Sequence, residues 1–429
     1  MRKILQSILQ FLAKRTIARY RPAIVAITGN VGKTSTKEAI AVVLGRAKRV
    51  RMSGGNLNNE IGVPLAILGD WADEYYHDGP SAGFWLKVVL KGALGLVIPQ
   101  RYPEILVLEY GADKPKDIES LARDFKPHVA VVTAVGEIPV HVEFFANPEG
   151  LAREKAKLVE ALEPGDHAVL NYDDQTVLDM RDKTAAQVHT FGLADEAQVH
   201  ASNLDILMNG QGKPEGMVFK LSADGKLVPV KIYGSLGTSQ ATASAAAAAV
   251  GFIFGLNLVE ISEALVSYRG PKGRLRILDG IRGSTILDDT YNASPASMHL
   301  ALETLQRVQG TRKIAVLGNM LELGKYTPQA HETVGNLAAT VADVLICVGD
   351  KAKLIADAAE NGKPSGNIYA FHTSDEARPL VQRMIREGDV VLVKGSQSMR
   401  MEKIVEEIMA HPERKKELLV RQSKKWLNI

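Results

Sequence analysis

The sequence predicts an α/β protein of two units. The first is a central P-loop domain whose mostly parallel sheet carries a small antiparallel patch, and the second is a Rossmann-like C-terminal domain. Three observations lead to this fold class. Apolar strand-like runs alternate with helical segments in both halves of the 429-residue chain, as in parallel sheets covered by helices. A Gly-rich turn at 28–35 joins an early strand to a helix. A Gly-Pro-Lys-Gly turn at 270–273 separates the two alternations.

Each unit is built from short apolar runs that predict strands. In the first unit we predict strands at 24–28, 105–109, 129–133 and 168–171. Between about 186 and 234, short alternating runs split by Gly-rich turns predict the antiparallel patch. The run 239–254 favours a helix because it is rich in Ala, the strongest helix former. In the second unit we predict strands at 285–289, 313–318, 344–349, 367–371 and 390–394.

Composition divides the chain further. We expect a basic amphipathic helix over 1–22, the P-loop domain over 23–267, the Rossmann-like domain over 268–411 and a charged tail over 412–429. Residues 1–21 contain six Lys or Arg and no acid, with apolar residues at helical spacing. The apolar segment 84–98 carries Lys87 and Lys91 four residues apart. Both segments suggest peripheral contact with an anionic membrane surface. The alternative is that they pack on the protein or on each other.

Bulk properties limit the classes of function. The net charge of +3 is too small to indicate nucleic-acid binding. The single cysteine, Cys347, lies in an apolar run, which excludes an internal disulfide framework and fits a reducing compartment. The sequence has no uninterrupted 18-residue apolar run and no small-residue cleavage site. We therefore expect a cytoplasmic location, with any membrane contact at the inner face.

The run 28–35, Thr-Gly-Asn-Val-Gly-Lys-Thr-Ser, is the most informative motif. A strand, a Gly-rich turn and a helix N-terminus form a cradle for phosphate. Lys33 is placed to reach the β- and γ-phosphates of a nucleoside triphosphate, and the Thr34 hydroxyl to bind Mg²⁺. The usual pattern has Gly where Ile27 stands, so this is the shorter Gly-x-x-Gly-Lys-Thr form. An ordinary βα turn is the alternative. The predicted phosphate-binding residues are Gly29, Asn30, Val31, Gly32, Lys33, Thr34 and Ser35.

Other polar residues follow predicted strands, at the sheet edge where open α/β sheets bind ligands. Glu109 ends a strand and suits a nucleotide-bound Mg²⁺, although a helix cap or a salt bridge would also use a carboxylate there. His141 follows another strand, where a structural role is the alternative. Lys155 lies within a helical run and by itself indicates only a solvated lysine. The second unit offers Arg274, the polar run 288–295 and the run Lys394-Gly395-Ser396.

Taken together, these runs resemble the Mur ligases, which are ATP-dependent amide-bond-forming enzymes of cell-wall synthesis. The similarity is greatest to the branch of the family that adds D-alanyl-D-alanine. The matching runs are 28–35, Gly-Asn-Leu-Asn-Asn-Glu-Ile-Gly-Val-Pro at 55–64, Leu-Glu-Tyr-Gly at 108–111, Asp-Asp-Thr-Tyr-Asn-Ala-Ser-Pro at 288–295, Leu-Gly-Asn-Met-Leu-Glu-Leu-Gly at 317–324 and Lys-Gly-Ser at 394–396.

The resemblance implies a reaction through an acyl phosphate. ATP phosphorylates the terminal carboxylate of a small-molecule cell-wall precursor, and the amine of D-alanyl-D-alanine attacks the product. Catalysis of this kind depends on positioning and charge neutralisation. The resemblance also implies ATP and Mg²⁺ as cofactors and a monomeric enzyme. Two alternatives stay open: a related ligase that joins a different carboxylate and amino acid, and a nucleotide-binding regulator without catalysis.

The same resemblance assigns roles to individual residues. Lys33, His141 and Lys155 would be catalytic. Thr34 and Glu109 would hold the first Mg²⁺, and His141 and a carbamate on Lys155 the second. The remaining assignments are Asp289 to the ribose, Arg274 to the phosphates, Asn58 and Asn59 to the acceptor, and Asn292 and Ser396 to the incoming dipeptide.

The chain departs from the family pattern where substrates bind. Members of this branch have an N-terminal domain for the uridine diphosphate of the acceptor. Here the phosphate loop begins near residue 29, so we expect that domain to be absent. The basic N-terminal helix or the segment 70–102 would then grip the acceptor, and a lipid-linked acceptor would fit both. Ala134, Ser294 and Gln397 replace the usual Asn, Asn and Arg, and the His and Asn that contact adenine are replaced within 238–244.

Overall fold

The computed structural model describes residues 2–77, 79–139, 141–362 and 367–427. These residues form two β-sheets flanked by helices, the first with nine strands and the second with six. Within the described ranges we find no helix with the length and hydropathy that a membrane span requires. Position 1 and positions 428–429, which belong to two predicted segments, lie outside the described residues.

The first sheet contains the phosphate loop. Its strands are β1 Ala23–Thr28, β2 Val50–Met52, β3 Ile105–Glu109, β4 Val129–Val132, β5 His167–Asn171, β6 Gln187–Gly192, β7 Val199–Met208, β8 Pro214–Ala223 and β9 Lys226–Tyr233. Their order is β2-β3-β1-β4-β5-β6-β7-β8-β9. Strands β1 to β6 pair in parallel, whereas β7 to β9 pair antiparallel with one another. The predicted antiparallel patch is therefore confirmed for β7 to β9, which extend one edge of the parallel sheet. Strand β6, inside the predicted range 186–234, instead pairs in parallel with β5 and β7.

The second sheet has the order β10-β11-β15-β12-β13-β14. Its strands are β10 Arg276–Asp279, β11 Thr285–Asp289, β12 Arg312–Gly318, β13 Val344–Val348, β14 Ile368–Phe371 and β15 Asp389–Lys394. Strand β10 pairs antiparallel with β11, and the other pairs are parallel. Two mostly parallel sheets, the first with an antiparallel patch, confirm the predicted fold class. The exact domain boundaries stay a prediction.

Helices flank both sheets, and in the first sheet they cover both faces. The α-helices are α1 Arg2–Tyr20, α2 Lys33–Gly45, α3 Gly62–Leu68, α4 Ala72–His77, α5 Ala82–Val97, α6 Asp117–Asp124, α7 Pro148–Glu160, α8 Gln175–Leu178, α9 Thr238–Ile253, α10 Leu258–Leu265, α11 Pro295–Arg307, α12 Thr327–Val341, α13 Lys353–Gly362, α14 Ser374–Met384, α15 Glu402–Ile408, α16 Lys415–Leu418 and α17 Lys424–Leu427. Because side chains alternate along a strand, Val25 and Ile27 of β1 join the core under α2 and α9. Ile24 and Ala26 join the core under α1, α3 and α5.

Helix α1 packs on α3 and α5. Leu9 and Leu12 are buried in that contact, and the ring of Tyr20 stacks on Tyr102 with 4.6 Å between centroids. One face of the basic N-terminal helix therefore packs on the protein, which was the alternative to membrane contact. The opposite side of α1 carries exposed apolar residues.

The charged tail over 412–429 is partly buried. It contains two short helices, α16 and α17, and Leu419, Val420 and Arg421 between them are buried. The guanidinium of Arg421 lies 2.8 Å from Glu402 Oε2 and donates to the carbonyls of Thr290 and Tyr291. The tail is therefore held to α15 by a buried ion pair and to the loop after β11 by two hydrogen bonds, contacts that the composition of the tail does not indicate.

Candidate functional site

The phosphate loop connects β1 to α2 and is held against β4. The backbone N–H of Asn30 donates to the carbonyl of Ala134 at 2.6 Å. Gly29 has φ of 140°, and a Cβ there would lie 2.0 Å from Thr133 Oγ1, so only glycine fits without a shift. The short form of the motif therefore still gives a strand, a tight turn and a free helix N-terminus, which together favour an anion.

Two lysines converge on one carbonyl of this loop. Lys33 Nζ donates to Gly29 O at 2.7 Å, and Lys155 Nζ, from α7, donates to the same oxygen at 3.1 Å. Burial lowers the pKa of Lys33 despite the nearby Glu109 carboxylate. Burial, with repulsion from Lys33, lowers the pKa of Lys155 well below its ordinary value. Lys155 is thus no solvated lysine, and a neutral amine is the form that carbon dioxide can carbamylate.

Glu109 lies at the carboxyl end of β3 beside the loop. Its Oε2 is 3.5 Å from Thr34 Oγ1, and its Oε1 accepts from Asn58 Nδ2 at 3.2 Å. Lys37 Nζ is 3.6 Å from Oε2. Burial opposes ionisation of Glu109, but Lys37 and Lys33 outweigh it and hold its pKa below the ordinary value. A charged carboxylate next to a hydroxyl results.

This pair of oxygen donors fits Mg²⁺. In the described part of the chain no three His, Cys, Asp or Glu side chains cluster in a way that would hold a metal by themselves. Mg²⁺ commonly takes one or two protein ligands and completes its shell with water and phosphate oxygens. Thr34 and Glu109 are suited to that kind of site.

His141 reaches the residues of the second sheet. It has φ of 68° and its Nδ1 lies 2.8 Å from Glu322 Oε2, in the loop after β12. Its Nε2 lies 3.9 Å from Asp113 Oδ1. The adjacent imidazole of His141 lowers the pKa of Glu322. In this arrangement His141 joins the two sheets.

A single cavity of about 640 Å³ brings most of the predicted residues together. It is lined from both sheets. The predicted residues around it are Asn30, Val31, Lys33, Thr34, Asn58, Asn59, Glu109, His141, Arg274, Asn292 and Ser396. The guanidinium of Arg274 stacks over Tyr291 with 4.2 Å to the ring centroid, and Arg274 lines the same cavity as the phosphate loop.

Asp289 lies beside the loop in a smaller cavity, which it shares with Ser35 and Arg274. Its Oδ2 is 2.7 Å from Lys394 Nζ, and both side chains are buried. Burial lowers the pKa of Lys394 in spite of this partner. A ribose hydroxyl that binds Asp289 would therefore approach a carboxylate that is already paired.

Two of the predicted substrate residues are used locally. Asn59 Oδ1 accepts from the N–H groups of Ile61 and Gly62 at the start of α3. Ser396 Oγ accepts from Leu321 N at 2.9 Å. Asn59 therefore presents its amide nitrogen, rather than its oxygen, for a further contact.

The cavity wall also contains residues that are not among the predicted site residues. Asn56 accepts from the Tyr291 hydroxyl across the two sheets, and Asp113, Glu322 and Trp426 also line the cavity. Asn56 and Glu322 belong to two of the runs that resemble the Mur ligases, so the resemblance could have identified them as site residues. Trp426 lies in the tail, near the guanidinium groups of Arg400 and Arg421, and no motif marks it.

Comparison with known proteins shows which family the chain resembles. The profile described as "Mur ligase middle domain" matches residues 95–250, and the profile "Mur ligase, glutamate ligase domain" matches residues 273–397. The chain is 27% identical over 406 residues to the UDP-N-acetylmuramoyl-tripeptide–D-alanyl-D-alanine ligase of Bacillus subtilis, covering 94% of this chain and 79% of that one. It is 30% identical to the enzyme of that name from Mycobacterium leprae, covering 88% and 71%.

A solved structure extends the comparison to three dimensions. The crystal structure of the MurF ligase from Thermotoga maritima in complex with ADP superposes with a TM-score of 0.76 at 26% identity, covering 96% of this chain and 84% of that one. Both the sequence matches and the shared fold identify the family of the chain, and the phosphate loop and the cavity between the two sheets are consistent with it. It belongs to the Mur ligase family of ATP-dependent ligases.

Proposed function

We propose that this enzyme adds D-alanyl-D-alanine to the terminal carboxylate of a muramoyl-tripeptide precursor in peptidoglycan synthesis, at the cost of one ATP. The two bacterial relatives carry the name of this reaction. One observation carries the proposal. A single cavity is lined by the phosphate loop and Glu109 of one sheet and by residues of the other sheet, namely Arg274, Asn292 and Ser396. Residues of both sheets can therefore contact a nucleotide and two further substrates in the same cavity.

The proposed chemistry is phosphoryl transfer followed by acyl transfer. The loop N–H groups and Lys33 bind the phosphates from one side, and Arg274 from the other. The acceptor carboxylate attacks the γ-phosphorus, and ADP leaves. The dipeptide amine then attacks the acyl carbon, and inorganic phosphate leaves with the C–O bond electrons. Mg²⁺ held by Thr34 and Glu109 would supply charge neutralisation during the first step.

His141 and Lys155 are proposed to serve a second Mg²⁺, Lys155 through a carbamate on Nζ. His141 supports this role by lining the cavity, and Lys155 by donating to the same loop carbonyl as Lys33. Asp289 is proposed to contact the ribose. Asn58 and Asn59 would contact the acceptor, and Asn292 and Ser396 the dipeptide.

The proposed function includes an oligomeric state and a cellular location. A monomer in the cytoplasm suits small-molecule substrates of this kind, and the basic helices α1 and α5 suggest peripheral contact with the inner face of the membrane. The division into a P-loop domain at 23–267 and a Rossmann-like domain at 268–411 is proposed to allow closure around the substrates. Closure would keep water from the acyl phosphate.

Phosphate release tests the reaction. ATP, Mg²⁺ and D-alanyl-D-alanine are supplied with a muramoyl-tripeptide that either carries or lacks the uridine diphosphate group. We expect release only when both acceptor and dipeptide are present, and mass spectrometry should find the pentapeptide product. Release with glutamate in place of the dipeptide would indicate a different ligase. No release with any pair, while ADP still binds, would contradict the proposal.

A further inference from the structure

Helices α1 and α5 together present an apolar surface to solvent. We define the α1–α5 face by Ile4, Ile8 and Phe11 of α1 and Leu86, Leu90 and Leu94 of α5, which are between 40% and 67% exposed. Isolated exposed apolar residues are common, but rows of large ones on two helices that pack on each other indicate a binding surface. Neither the fold nor the proposed cavity uses this face.

The exposed residues are not the edge of a core. In α5 the residues at 86, 90 and 94 recur every four positions, on the side opposite the buried Phe84, Val88 and Gly92. Helix α5 is fixed at both ends. Ser81 caps its N-terminus by accepting from Phe84 N, and the Tyr20 hydroxyl of α1 donates to Gly95 O at 2.7 Å. The two apolar stripes therefore lie on adjoining helices with a fixed geometry.

Basic residues surround the apolar ones. Neither helix contains Asp or Glu. The cations on α1 and α5 are Arg2, Lys3, Lys14, Arg15, Arg19, Lys87 and Lys91. The Arg15 guanidinium lies 5.4 Å from the centroid of the Phe11 ring, so a cation adjoins the apolar stripe directly. Acids of neighbouring elements pair with three of these cations, namely Arg2, Lys14 and Lys87. The other cations and the apolar residues complement an anionic bilayer, which accepts apolar side chains and attracts Lys and Arg.

We propose that the α1–α5 face binds the surface of an anionic phospholipid bilayer, with its apolar residues inserted at the level of the headgroups. This deepens the inner-face location given under the proposed function. The face also adjoins the acceptor side of the cavity. Helix α1 packs on α3, which begins three residues after Asn59, and Arg2 Nη2 lies 3.4 Å from Glu60 Oε1. Binding would hold that loop one helix layer from the lipid.

Vesicle flotation of the full chain tests the inference. Wild-type protein is mixed with phosphatidylcholine vesicles or with vesicles containing one quarter phosphatidylglycerol. We expect flotation with the anionic vesicles, weaker flotation at high salt, and little with the neutral ones. The double variant Leu90→Glu/Leu94→Glu should lower bound protein at least tenfold. Val259→Glu on α10 is the matched control, because Val259 is 56% exposed, as is Leu94, and lies away from the face.

Three outcomes would overturn the inference. Wild-type protein could fail to float with anionic vesicles, or the double variant could float as well as the control. A lipid-free dimer that the double variant abolishes, detected by light scattering, would assign the face to a second copy instead. Phosphate release in lipid-free solution, with a soluble acceptor, checks that the variant is folded. If no protein, wild type included, released phosphate, that result would contradict the proposed reaction, whereas the conclusion on membrane binding would be unaffected.

Discussion

Lys33 is the residue on which phosphate binding depends most. It is the cation of the loop, and it also helps to keep Glu109 ionised. We expect Lys33→Ala to lower kcat by at least about 100-fold, the usual cost of removing a group that stabilises transition-state charge. Steady-state phosphate release measures the loss. Lys48→Ala, an exposed lysine after α2, is the control, and equal activity of the two variants would contradict the role.

Lys155 tests the second metal site. If its carbamate serves as a ligand, Lys155→Ala should lose most activity, and formate or acetate should restore part of it by supplying a carboxylate. Lys157→Ala, on the same helix and paired with Glu160 at 2.6 Å, should keep full activity. ¹³C NMR of wild-type protein with labelled bicarbonate should find a carbamate. Failure of both rescue and carbamate signal would return Lys155 to a structural role.

Asp288 makes stability depend on pH. Burial raises its pKa from 3.8 to about 6, and Thr290 Oγ1 donates to its Oδ1 at 2.6 Å. The folded state therefore holds a proton that the unfolded chain has released, so this contribution is present below about pH 4 and is lost as pH rises through 6. The difference between the two pKa values corresponds to roughly 3 kcal/mol in the free energy of unfolding.

We therefore expect Asp288→Asn to become more favourable, relative to wild type, as pH increases. Urea unfolding at pH 4.5 and pH 7.5 gives the difference in free energy of unfolding. Asp279→Asn, exposed on β10, is the control. A difference for Asp288→Asn that does not change with pH would contradict the raised pKa.

At the scale of elements, the N-terminus of α6 depends on a neighbouring helix. Its N-cap, Lys116, has φ of 74° and supplies no side-chain cap. Instead Glu154 of α7 accepts from the N–H groups of Lys116, Ile118 and Glu119. A buried carboxylate thus supplies the acceptor that a helix start requires.

Glu154→Ala should lower the free energy of unfolding by about 1–3 kcal/mol, because buried N–H groups lose a charged acceptor. Chemical denaturation measures it. Glu160→Ala, exposed on the same helix, should change stability by less than about 0.5 kcal/mol. Equal values for the two variants would show that water replaces the carboxylate without cost.

Local patterns predicted the elements well and their mutual contacts poorly. Strands β1 and β3 and the placement of Glu109 follow from apolar runs and from the rule that ligands bind at carboxyl ends of parallel strands. The pairing of Asp289 with Lys394 and of His141 with Glu322 does not follow. Each joins residues far apart in the chain. The first pairing depends on the register of β11 with β15, and the second depends on how the two sheets lie against each other. The individual site roles therefore stay predictions.

At the scale of the molecule, a few contacts hold the two sheets around the cavity. The Tyr291 hydroxyl donates to Asn56 Oδ1, and His141 lies against Glu322. The connecting turn includes Gly273, with φ of 64°, where a Cβ would lie 3.0 Å from the Tyr291 backbone nitrogen. A glycine is thus required where the chain passes between the sheets, and such a turn can serve as a hinge.

Closure should therefore weaken when these contacts are removed. In Tyr291→Phe/Glu322→Ala, two polar links between the sheets are lost while the buried apolar cluster that contains residues of both sheets is unchanged, so the population should shift toward an open form. Small-angle scattering should give a larger radius of gyration than wild type without nucleotide, and an ATP analogue with Mg²⁺ should reduce it. His299→Ala/Glu303→Ala, which removes an ion pair within α11, should leave the radius unchanged. Identical radii for all three proteins would mean that other contacts fix the closed arrangement.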